Sequence, residues 1–173
     1  MADQQAQPRI ARRIARGDPD YPAILITRLE ESAPSALAAI GPVSLLAHRR
    51  VALFCSAATP GDVLVRACEA VRTMRDKGVT VISGFHSPVE KECLRILLSG
   101  SQPIMVCPAR AIATMLIPSS CRPAYEAGRL LFLSPFSGKL KRATRDSAAR
   151  RNEMVAALAD EAYLPHISPG GLT

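Results

Sequence analysis

Short, unbroken apolar runs recur along this chain, and each gives way to a segment with helical spacing. Val51-Ala52-Leu53-Phe54-Cys55, Val79-Thr80-Val81-Ile82, Ile104-Met105-Val106-Cys107 and Leu130-Leu131-Phe132-Leu133 read as strands covered on both faces. Between the first two, Val63, Ala67, Ala70, Val71 and Met74 form one helical stripe, capped by Asp62 and ended by Gly78. Val89, Cys93, Leu94, Leu97 and Leu98 form another, stopped at Gly100. No hairpin signal joins any two runs. The pattern predicts an α/β domain: a Rossmann-like parallel sheet with helices on both faces. None of the four strands should pair with another as an antiparallel hairpin.

The flanks read less sharply. Residues 1–18 are polar and basic and suit a flexible arm, although Ile10 and Ile14 would also fit a short helix. Residues 19–173 form the domain, with a short helical lead-in. Leu25 and Leu29 share one face there, and Pro34 opens a helix to Ile40, with Ser32 as its cap. A short apolar element spans 43–47. Short helices are expected over 112–117 and 122–127, and a longer one, capped by Ser147, carries Met154, Val155 and Leu158. A fifth strand is expected over 163–167.

Ligands of open parallel sheets bind at the carboxyl ends of the strands. The loops there contain Ser56, Ser83-Gly84-Phe85-His86, Arg110, Ser134-Pro135-Phe136 and Pro169-Gly170-Gly171. Ser83-Gly84 turns a strand into a helix, a geometry that leaves N–H groups for an anion. None of these loops is a G-x-G-x-x-G or Walker loop, which disfavours dinucleotide binding and NTP hydrolysis.

Charge points the same way. Residues 139–151 hold six basic side chains and one acidic one, in a chain of net charge +7. Lys139, Lys141, Arg142, Arg150 and Arg151, with Asn152, suit a polyanion or a nucleotide phosphate. Arg150-Arg151-Asn152 is expected in the first turn of its helix, and an anion is expected between it and Ser83-Gly84-Phe85. On that reading Arg151→Ala weakens binding and leaves stability nearly unchanged. His86 and Glu90, four apart, would allow acid–base chemistry, a nucleotide contact, a surface contact or a cap. Phe85 and Phe136 would stack on bases or pack in the core.

The five cysteines form no C-x-x-C pair and read as core thiols. No metal, cofactor or catalytic residue is expected. No apolar run is long enough to span a membrane and no signal peptide is visible, so the expected location is cytoplasmic.

Several segments together resemble the DNA-processing protein A (DprA, or Smf) family. Tyr21-Pro22, Leu25, Pro34, Leu37 and Gly41 are similar to its lead-in. Val51-Ala52-Leu53 is similar to its first strand, Val81-Ile82-Ser83-Gly84 to its Val-Ser-Gly turn, and Gly128-Arg129-Leu130-Leu131 to a later strand. Ala149-Arg150-Arg151-Asn152 resembles its Phe-Pro-Arg-Arg-Asn-Arg segment, and Ser168-Pro169-Gly170-Gly171-Leu172 its Ser-Gly turn. Cys55-Ser56-Ala57 stands where the family has Gly-x-Arg, and Ser87-Pro88-Val89-Glu90 where it has Gly-Ile-Asp. The resemblance implies non-catalytic binding of single-stranded DNA in DNA processing or recombination, a RecA-type recombinase as partner, and a homodimer; no winged-helix domain is read after the Rossmann-like part. The Pro-Gly-Gly turn also looks like that of nucleoside-monophosphate phosphoribohydrolases of the LOG group. N-glycosidic bond cleavage, nucleotide binding or nucleotide sensing are therefore the alternative readings.

Overall fold

The computed structural model describes residues 11–138 and 140–168. Its centre is a seven-stranded sheet in the order β1-β2-β6-β5-β4-β3-β7. Strands β3 (Arg50–Cys55), β4 (Thr80–Ser83), β5 (Ile104–Val106) and β6 (Leu130–Ser134) are the four apolar runs. Adjacent members of this set pair in parallel, as the alternation requires. Strand β7 (Glu161–His166) adds to β3, also in parallel.

Period-two alternation divides the strand side chains between two cores. Leu53, Val81, Ile104, Leu130 and Phe132 pack with α2 (Gly61–Asp76), α3 (Pro88–Leu98) and α4 (Arg122–Glu126). Ala52, Phe54, Ile82, Met105, Leu131 and Leu133 pack with α1 (Ala23–Leu29) and α5 (Arg145–Leu158). Because both faces are covered, the strands are apolar throughout rather than alternating. The chain advances from β3 to β6 along one face, then returns through α5 on the other face to β7, outside β3.

The lead-in differs from its sequence reading. Ala36–Ile40 is a strand, β2, not the helix expected from Pro34. It pairs antiparallel with β6, and Arg12–Ala15 pairs antiparallel with it as β1. Residues 12–15 are therefore part of the sheet rather than of a flexible arm, with Ile14 fully buried. Alanine's helix preference is worth only tenths of a kcal/mol per residue, less than completing the open edge of β6. Gly41 makes this edge possible: at φ +117, a Cβ there would lie 2.3 Å from the Leu130 carbonyl oxygen. Tyr21 Oη donates to Pro34 O at 2.6 Å and fixes the approach to β2.

Other boundaries move for local reasons. Residues 112–117 form no helix; they lead into Pro118, which disfavours helical geometry before it, and a 3₁₀ turn over Ser119–Cys121 precedes α4. Helix α2 starts at Gly61 behind Pro60, so Asp62 lies inside the first turn and pairs with Arg66 instead of capping. Helix α5 starts at Arg145 with Thr144 as its cap, and Ser147 is the reciprocal member of that capping box. Residues 43–47 are a 3₁₀ turn. The fifth parallel strand begins at Glu161, two residues earlier than expected.

All five cysteines are free and buried, as core thiols should be. Burial pushes the Cys93 and Cys107 thiols up to about 12, from an ordinary 9.0. An acid raised on folding leaves stability intact below its unfolded pKa and erodes it above, because the unfolded chain then holds fewer protons. Stability should therefore decline as pH rises from 9 toward 12. The check is urea unfolding across that range: Cys107→Ala should flatten part of the decline relative to the parent chain.

Candidate nucleic-acid interface

At the carboxyl end of β4 the chain turns through Ser83-Gly84-Phe85 into α3. Phe85 sits at φ +47, a conformation bulky residues rarely adopt. Two contacts hold it: its N–H donates to Ser83 Oγ at 3.1 Å, and its ring is buried in the core beneath α2 and α3. The ring is therefore not presented to a base. Ser134 and Phe136, after β6, repeat the motif, with Phe136 N–H donating to Ser134 Oγ at 3.1 Å. Phe136 is also buried, and the Arg150 guanidinium lies 5.9 Å from its ring centroid.

The N–H groups of the glycine loop already have an anion. Glu90 is 6% exposed, and its Oε2 accepts from His86 N at 2.7 Å and Ser87 N at 3.1 Å. Its Oε1 accepts from Cys55 N, at the end of β3, at 3.0 Å. Ser87 Oγ closes the capping box by accepting from Glu90 N at 3.2 Å. Of the roles open to the His86–Glu90 pair, Glu90 takes that of cap, and His86 projects an exposed ring. The spacing Ser87-x-x-Glu90 was the available signal.

Arg151 meets the same loop from α5. It is 5% exposed; its Nη1 donates to Cys107 O at 2.9 Å and its Nε to Asn152 Oδ1 at 2.7 Å. The guanidinium fills the space a side chain at position 84 would need, since a Cβ on Gly84 would lie 1.6 Å from Nη1. Burial lowers the Arg151 pKa, with the Cys107 and Glu90 side chains acting the other way. The two segments chosen from the sequence are thus brought together, but they touch directly. Arg151 lies past the first turn of α5, and its burial replaces the expectation of a purely ligand-facing side chain.

The cations facing solvent at this edge are different ones. Lys141, Arg142, Arg145 and Arg150 are exposed and Arg110 is half-buried. Their backbone is fixed where the loops meet: Ala111 N donates to Leu140 O at 2.9 Å, Ser134 Oγ to Arg110 O at 2.7 Å, and Ser147 Oγ to Ala109 O at 2.8 Å. Arg145, the first residue of α5, belongs with this group although the loop reading did not single it out; the Thr144-x-x-Ser147 capping pattern is what places it. Ser56 lies away from these cations, two strands over from β5. There its Oγ accepts from Ser168 N at 2.8 Å and fastens the exit of β7. Lys139, Gly170 and Gly171 lie outside the described residues. Among the described residues no cluster of His, Cys, Asp or Glu could hold a metal ion, and no helix is long and apolar enough to cross a membrane.

The sequence profile of the family DNA recombination-mediator protein A matches residues 12–164. The chain belongs to that family. Two solved DNA-processing proteins A share the fold of this family member. The Streptococcus pneumoniae protein superposes with a TM-score of 0.72 at 16% identity, over 89% of this chain and 53% of its own. The Helicobacter pylori protein, whose structure addresses its single-stranded DNA binding mode, gives 0.61 at 19% identity, over 76% of this chain and 60% of its own. This chain therefore spans a little over half the length of those proteins. No curated protein matches it by sequence.

Two stability predictions follow from the buried charges of this family member. Glu90→Ala strands backbone N–H groups and should cost about 3 kcal/mol or more, read as a fall in Tm of about 10 °C. Gly84→Ala should destabilise through its clash with Arg151. Position 84 has no left-handed φ, so the same alanine should be tolerated once Arg151→Ala has emptied the space. A double-mutant cycle by denaturant unfolding should then show a coupling of about 1 kcal/mol or more.

Proposed function

We propose that the domain binds single-stranded DNA, without catalysis, along the carboxyl edge of β5 and β6. The observation that carries this reading is the row of solvent-facing cations, Arg110, Lys141, Arg142, Arg145 and Arg150, on loops tied to one another by hydrogen bonds. Arg151 and Gly84 contribute as the strut that sets α5 against β4 and β5, and His86 adds a polar group beside them. Membership of a DNA recombination-mediator family and the single-stranded DNA binding of the structurally similar Helicobacter pylori protein support the same ligand. The mononucleotide readings, enzymatic or sensory, are less well supported. The N–H groups that a compact phosphate would take are held by Glu90, leaving side-chain cations spread along an edge. A cytoplasmic location, a homodimer and a RecA-type recombinase as partner belong to this proposal through the family, and sedimentation of a concentrated sample tests the dimer.

Salt dependence tests the DNA reading. Each single-strand phosphate neutralised contributes about 0.7 to the slope of log K against log salt. Four contacts should lower affinity for an oligodeoxythymidine about 50-fold between 50 and 200 mM salt. Lys141→Gln with Arg142→Gln should reduce the slope by about 1.4 and leave Tm unchanged, because both side chains are exposed. A salt-independent affinity, or a mononucleotide that competes fully with the oligomer, would count against the proposal.

A further inference from the structure

A cavity of about 480 Å3 opens between the N-terminal halves of α2 and α3. That is the size of a small-molecule site. Leu64, Val65, Val89 and the buried Cys68 give it apolar walls, and Arg72 and Glu92 bring charge to it. It is not part of the cation row; it lies at the exits of β3 and β4, further along the carboxyl side of the same sheet. Its residues Pro88 and Val89 directly follow the Gly84–Ser87 loop on which Arg151 packs, and Ala57 and Thr59 come from the loop after β3.

We infer that this cavity receives one unstacked base of the bound strand. The inference rests on the DNA reading above and adds a base site to its phosphate contacts. Three features fit such an occupant. The walls are apolar, and Leu64 and Val65 stay 36% and 57% exposed, which leaves an apolar surface a base would cover. Arg72 offers a guanidinium plane of the kind on which unpaired bases stack. The carboxylate in the lining has its charge offset, because Glu92 is paired with Arg95 at 2.6 Å. Both rings near the edge, Phe85 and Phe136, are buried, so the cavity supplies the apolar surface for a base that they do not.

An abasic scan provides the test. A short oligodeoxynucleotide is prepared with an abasic residue at each position in turn, which keeps every phosphate and removes one base. One position should lose about 5- to 150-fold in affinity, the range for a stacked base. A protein carrying Leu64→Gln and Val65→Gln leaves charge unaltered and changes two partly exposed side chains. In it the penalty at that position should shrink to within twofold, while binding of the abasic oligomer stays the same. A flat scan with normal salt-dependent binding overturns the base site and leaves the DNA reading standing. A penalty that persists undiminished in the double variant, with its fold confirmed by thermal melting, places the base elsewhere and also overturns it. Absence of any salt-dependent DNA binding removes both readings together.

Discussion

The carboxyl edge is organised by a buried guanidinium lying on a glycine. Arg151 takes the space beside Gly84, reaches the carbonyl that ends β5, and so locks α5 to the exits of two adjacent strands. Desolvating a charge in this way is costly, and it is tolerated here because the group is hydrogen-bonded and feels a second buried charge, Glu90, across the same loop. Glu90 in turn collects N–H groups from the end of β3 and the start of α3. Two opposite charges, each satisfied internally, hold four neighbouring segments in register.

This arrangement separates scaffolding from recognition. A phosphate cradle built on a helix start leaves its N–H groups open to the ligand. Here the carboxylate of the helix itself occupies them, and positive charge is displayed instead by side chains on the adjoining loops. Fixed backbone dipoles suit a compact anion held in one pose. Long exposed cations suit a polymer whose phosphates follow one another and whose attraction extends over roughly the Debye length.

The core of the fold was legible in the sequence because burial on both faces imposes a signal no other constraint produces. The runs at Val51, Val79, Ile104 and Leu130 could hardly be anything but central strands. The edge was not legible, because the alanines of Ala36-Leu37-Ala38-Ala39-Ile40 lean towards a helix, and only the open side of β6 overrides them. Within the site, the proximity of two segments was legible and the burial at their contact was not. Gly84 and Arg151 were rightly drawn together, yet burial cannot be read from an Arg-Arg-Asn triplet, where one arginine faces the core and its neighbour faces solvent. The distance of Ser56 from the cations was hidden for a related reason: all strand exits look alike in a sequence, whereas the sheet order sets them apart.

The hydrogen bonds among the edge loops bear on how fast the surface could work. Ala111 to Leu140, Ser134 to Arg110 and Ser147 to Ala109 stitch the chain on which the cations stand before any ligand arrives. Backbone held at these points would surrender less entropy on contact than an untethered loop. A surface built this way has no folding step to wait for. Encounter with a strand would be governed by diffusion and field, and its release by the number of contacts rather than by an opening motion of the protein.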